Sequence, residues 1–228
     1  MSGLADYLAF ARANPMLFVN PPDGGITILL DEDEIREAEA QMAHWLESKG
    51  MPEEWSRVGI VYHDQYARLL RDAVRFPGGF LGTYIRSVGK GDDTPGVIIL
   101  PLYNGQVLLI RHFRHATRTW HIEIPRGFGK KGLSSEENAR REMKEETGAT
   151  ISRLVSLGST YPDAAVSTEC DALFYAEIES YGMAQEKEAI TEILPTSVPE
   201  FERMIRENEI TDGFTLAAYA RAKAHSLL

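Results

Sequence analysis

A chain of 228 residues carrying a net charge of −10, with 43% hydrophobic residues, is long enough for one well-buried domain plus an extension, or for two small domains. The acidic balance argues against a nucleic-acid scaffold, no apolar run approaches the roughly 18 residues of a membrane span, and the single Cys170 excludes an intrachain disulfide framework or a Cys-rich metal site. Met1 to Asp6 lacks the basic and apolar stretches of a secretory signal, so a cytoplasmic location is expected.

In chain order, Ala5 to Ala13 reads as a short helix stopped by Asn14-Pro15, and the turn-rich segment 20–25 precedes a strand, Ile26 to Leu30. Asp31 or Asp33 can cap a helix reaching Ser48, with Ile35, Ala38, Met42 and Leu46 on one side. The spacing of Tyr66, Leu69, Leu70 and Val74 predicts a second helix from Asp64 to Arg75. Residues 1–76 are therefore expected to form a mainly helical extension and 77–228 a second domain. From Phe80 the apolar period changes to that of strands. Phe80 to Arg86, Pro95 to Tyr103, Gln106 to His112 and Trp120 to Ile124 fit, with Asn104-Gly105 as a hairpin turn. After one helix come strands at Ile151 to Thr160, Ala172 to Ile178 and Ile190 to Leu194, then helices at Val198 to Asn208 and Phe214 to Ser226.

The helix in that series carries the chemistry. Ser134 and Glu137 have capping-box spacing and Gly148 is a C-terminal stop, which places a helix from about Ser135 to Thr147. Glu142 and Glu146 then lie one turn apart, with Glu145 beside them. Such crowded carboxylates call for positive charge, from Arg140 and Arg141 or from a hard divalent cation such as Mg²⁺. The glycines just before the helix, from Gly127 on, let backbone and phosphate oxygens approach.

Gly127, Arg141, Glu142, Glu145, Glu146 and Gly148 match every fixed position but one of the pattern G-x5-E-x7-R-E-U-x-E-E-x-G-U, with Met143 at its first apolar position. The chain thus resembles the Nudix hydrolases. Leu133 stands where the pattern has its first Glu, and Ala149 is smaller than the usual aliphatic residue. Glu123-Ile124-Pro125-Arg126-Gly127, the segment Leu109 to Arg114 and the ending Glu209 to Ala218 are most similar to ADP-ribose pyrophosphatases and nucleoside-diphosphate-sugar hydrolases.

The resemblance implies an α/β/α sandwich with a mixed sheet, a nucleotide-sugar substrate, Mg²⁺ with Mn²⁺ as a substitute, and a homodimer. It also implies Glu142, Glu146, Glu145 and the Arg126 carbonyl as metal ligands, with Arg141, Gly127 and Gly148 supporting them. Glu186 or Glu188 is a candidate general base, beside Glu145 and Glu146, and Arg114, Arg111 and Glu169 are candidates for substrate contact. Leu133 leaves open a module that binds a nucleotide sugar without cleaving it. His112, His115 and His121 lack companion ligands at zinc spacing.

Overall fold

The computed structural model describes residues 3–89, 94–183 and 189–228. Its contacts divide the chain into two compact units, Met1–Asp92 with Asp163–Thr168, and Asp93–Pro162 with Glu169–Leu228. No described helix is long and apolar enough to cross a membrane.

The first unit holds α1 (Leu4–Ala13), β1 (Thr27–Leu29), α2 (Glu32–Ser48), β2 (Gly59–His63), β3 (Arg68–Arg75) and β4 (Leu81–Val88). Asp31 caps α2 through the Asp33 and Glu34 amides. The four strands make one antiparallel sheet in which β3 pairs along its whole length with β4 on one side, and with β2 and β1 on the other.

This corrects the helix expected from Asp64 to Arg75. The Asp64 side chain does accept from the Tyr66 and Ala67 amides at 2.6 and 2.8 Å, as a helix cap would. Here the same bonds close a hairpin turn, in which the Asp64 N–H donates to the Ala67 carbonyl. Beyond the turn, Leu70, Asp72, Ala73 and Val74 are all buried, a run that sheet pairing can satisfy and a one-sided helix stripe cannot. The N-terminal region therefore joins its helices to a sheet, and β4, expected from sequence within residues 77–228, pairs with β3 in that sheet.

Asp72 is buried at the centre of this unit. It accepts from the Tyr7 hydroxyl at 2.6 Å and the Arg86 Nε at 2.5 Å, and Arg86 donates onward to the Leu17 carbonyl. Burial, reinforced by Asp72, pushes the Tyr7 phenol far above its ordinary range, so it stays a donor. A cavity of about 290 Å³ in the same unit is lined in part by Ile28, Asp72, Tyr84 and Arg86, whose acid and guanidinium already satisfy each other.

The second unit is an α/β/α sandwich. Its strands are β5 (Val97–Tyr103), β6 (Gln106–Arg114), β7 (Thr119–Glu123), β8 (Arg126–Gly127), β9 (Thr150–Thr160), β10 (Asp171–Ser180) and β11 (Ile190–Ser197); its helices are α3 (Ser135–Thr147), α4 (Val198–Arg206) and α5 (Gly213–Ala224). The sheet runs β11-β6-β5-β10-β9 and is mixed, because β5 and β10 are parallel while the other neighbours are antiparallel.

Side chains alternate across it. Val97, Ile99, Leu108, Phe174 and Ala176 pack on one face with Ala139 and Met143 of α3. Ile98, Leu100, Leu109, Leu173 and Tyr175 pack on the other with Phe201 and Met204 of α4 and Ala218 and Ala222 of α5. Burial on both faces explains the unbroken apolar run Val97-Ile98-Ile99-Leu100.

The sheet also divides in a way that exposes a loop. β5 and β6 pair only near their hairpin, then β7 continues on β6 while β8 continues on β5. The chain crosses between them at Ile124-Pro125, where the Pro125 carbonyl accepts from the Ile99 amide at 3.0 Å. That crossing delivers Arg126 and the glycine loop to α3.

Candidate active site

Both ends of α3 are fixed locally. The Ser134 hydroxyl accepts from the Glu137 amide at 3.2 Å, the Glu137 carboxylate accepts from the Ser134 amide at 2.7 Å, and Gly148 adopts the left-handed conformation at φ 65°. With its ends set, the helix turns Glu142 and Glu146, only 6% and 2% exposed, to its buried side. Glu145 remains half exposed.

Three side chains of α3 hold the loop that precedes it. Glu146 Oε2 accepts from the Arg126 amide at 3.2 Å, Arg141 donates to the Phe128 carbonyl at 2.9 Å, and the fully buried Asn138 accepts from the Lys130 amide at 3.0 Å. Arg141 also pairs with Glu142, and with Glu145 at 2.6 Å, bringing positive charge onto two of the three acids. Arg140, expected to share that work, instead donates to the Ile151 carbonyl at 2.9 Å. A Cβ on Gly127 would collide with the Glu142 carboxylate, so glycine is required there by close approach. Leu133 is half buried and its N–H closes a turn onto the Lys130 carbonyl, while Asn138 and Arg141 supply the bracing of the loop.

Below the loop lies a charged group that the sequence quoted without a role. Glu123, with no exposed surface, is gripped by both ends of the Arg114 fork, stands 3.4 Å from His112 Nδ1 and 3.7 Å from Arg126. Burial alone would raise its pKa, but His112, Arg114 and Arg126 outweigh burial and hold it at about 2. Arg126 reaches Asp212 as well, at 3.3 Å, and its guanidinium lies 4.5 Å from the centre of the Phe214 ring.

The substrate-contact candidates fall into different settings. The Arg114 fork is committed to Glu123, so clamping a phosphate would require it to let go. Arg111 lies on Trp120, 4.4 Å from the ring centre, and pairs with Glu192 at 3.5 Å. Glu169 is exposed next to Asp171, whose carboxyl sits against Gly96 at the start of β5. Burial first, and the Glu169 charge second, raise the Asp171 pKa against the opposing Gly96 amide and Arg126. Sequence reasoning passed over Asp171, Asn138 and Glu123; of these only Glu123 had a signal, its place in the quoted Glu-Ile-Pro-Arg-Gly string. Glu186 and Glu188 lie outside the described residues. The three histidines have separate neighbours, Glu123 for His112, Arg118 for His115 and Thr117 for His121.

The donor set suits a hard divalent cation. Two buried carboxylates one turn apart lie against the glycine loop, Glu146 on the Arg126 amide and Glu142 beside Gly127, and Mg²⁺ takes carboxylate oxygens while keeping several waters. Among the described residues no three acidic, histidine or cysteine side chains are gathered as a metal-holding group. Glu142 and Glu146 would therefore be the core of the site, and Glu145 would join them on releasing Arg141.

Comparison with known proteins bears on the same segment. The NUDIX domain model matches residues 92–218. An ADP-ribose pyrophosphatase from Bacillus subtilis (strain 168) is 28% identical over 120 residues, which are 51% of this chain and 63% of that protein, so the match spans under two thirds of its length. A solved ADP compounds hydrolase superposes with a TM-score of 0.65 at 17% identity, over 74% of this chain and 90% of the other, which is a likeness of fold.

Proposed function

The chain belongs to the NUDIX family, and from that premise we propose that it hydrolyses the diphosphate bond of ADP-ribose or a related nucleoside diphosphate sugar, with Mg²⁺ or Mn²⁺. The products are a nucleoside monophosphate and a sugar phosphate. One observation carries the reading: α3 presents two buried glutamates, Glu142 and Glu146, directly against a glycine loop that its own side chains hold in place.

Water adds to one phosphorus, the bridging P–O bond breaks, and negative charge develops on the departing oxygen. The divalent ion supplies charge neutralisation of the diphosphate and a lowered pKa for water. Glu142 and Glu146 hold that ion from a rigid helix, so their spacing is set by backbone geometry and not by a mobile loop. Arg141 orients Glu142 and Glu145 and carries part of their mutual repulsion. Gly127 leaves room for the Glu142 carboxylate to approach the backbone. Glu169 remains a candidate for substrate contact, and Glu186 or Glu188 for the general base.

Incubation with ADP-ribose and Mg²⁺ is expected to release AMP. A Glu146→Gln variant should lower kcat by about 100-fold or more, since it removes charge from the ion and keeps shape; unchanged turnover would defeat the assignment. The working form is proposed to be a cytoplasmic homodimer that uses surface of the N-terminal unit, where Trp45 and Trp55 are exposed. Light scattering at micromolar concentration showing only monomer would count against the dimer.

A further inference from the structure

The ending Thr211-Asp212-Gly213-Phe214-Thr215 has no part in the chemistry above, yet its side chains bond the strand that enters the glycine loop. Asp212 is the N-cap of α5: its Oδ2 accepts from the Thr215 amide and from the Thr215 hydroxyl, each at 2.8 Å. The Thr215 hydroxyl in turn accepts from the Ile124 amide at 3.1 Å. The other carboxylate oxygen of Asp212 faces the Arg126 guanidinium at 3.3 Å, and the next ring along, Phe214, packs under the same guanidinium at 4.5 Å. Asp212 is 9% exposed and Thr215 fully buried, so these contacts are screened little by solvent. On the far side of Arg126 its amide donates to Glu146. Two bonds from one helix cap thus bracket Pro125: one to the residue before it, one to the residue after.

We propose that Asp212 is a positioning residue for the active site, fixing through Arg126 the backbone that supports Glu146. The inference rests on the hydrolase reading above. Asp212 touches neither substrate nor reacting atoms; it acts by holding Arg126 where its amide meets Glu146 Oε2. Asn is as good an N-cap as Asp, so Asp212→Asn keeps the bonds to Thr215 and removes the charge facing Arg126.

The variant is expected to lower kcat about 10- to 100-fold, the range typical when a supporting partner of a metal ligand is lost. The KM for ADP-ribose should stay within about threefold, as for loss of an interaction realised at the reaction step. Hydrogen exchange of amides 124–129 in the free protein should accelerate about tenfold, a readout independent of metal and turnover. Combining Asp212→Asn with Arg126→Met should cost little more than Arg126→Met alone, because the link to Asp212 is already broken. Wild-type kcat, unchanged exchange in the loop or additive losses in the double variant would each overturn the proposal. If Asp212→Asn proves poorly folded, Asp212→Ser, another strong N-cap lacking the carboxylate, gives the same comparison. Failure of the wild-type protein to hydrolyse any nucleoside diphosphate sugar would refute the hydrolase reading instead, while the exchange measurement would still judge the link between Asp212 and the loop.

Discussion

Replacing Glu123 by Gln removes the one carboxylate shared by Arg114, Arg126 and His112 while preserving its shape. The folded protein holds this carboxyl at about 2, against an ordinary 4.5. A depressed pKa stabilises the folded state above the unfolded value, and that contribution is lost as pH falls through the folded value. The difference of about 2.5 units corresponds to about 3 kcal/mol, present in full near pH 7 and reduced by about 2 kcal/mol by pH 3. With no exposed surface on Glu123, solvent screening takes little from this figure. Truncating the charge at neutral pH leaves the Arg114 guanidinium without its counter-ion, which costs about 3–5 kcal/mol in buried settings and is a large share of a domain's stability. Urea unfolding of wild type and Glu123→Gln at several pH values between 3 and 7 measures both effects. The gap between the two proteins should narrow by about 2 kcal/mol toward pH 3. A gap that stays constant across that range would show that Glu123 is not held ionised by its neighbours.

Gly127→Ala places a methyl against the Glu142 carboxylate; it should destabilise by about 1–3 kcal/mol through overpacking and nearly abolish turnover, which unfolding and AMP release measure together. Leu133→Glu supplies the Glu of the G-x5-E pattern, but since Asn138 and Arg141 already brace the loop, kcat/KM should change less than about tenfold. A larger gain would mean that the loop of the natural chain is held incorrectly. Tyr7→Phe withdraws one donor from buried Asp72 and should cost about 1–3 kcal/mol in the unfolding of the first unit, monitored by circular dichroism; no loss would mean that Arg86 alone satisfies Asp72.

Much of this protein is written locally. Ser134, Glu137 and Gly148 set the limits of α3 by bonds spanning three or four residues, so the one-turn spacing of Glu142 and Glu146 was available before any tertiary contact. The strands of the second unit were equally legible, because a sheet buried on both faces leaves continuous apolar runs such as 97–100. Where local signals serve two structures the reading failed: Asp64 closes a hairpin with the same bonds that would cap a helix, and only the partners β2 and β4 decide which.

The amino-acid order by itself determined α3 and its acids, since a helix fixes its own side-chain spacing. The fold decided what stands opposite them. Arg114 was free in sequence to meet a phosphate, but bringing β6 beside β7 puts it on Glu123; Asp212, about eighty positions beyond the glycine loop, reaches Arg126 only because α5 packs on the same sheet. Pairings across such distances depend on how layers stack, and no local pattern of residues encodes them.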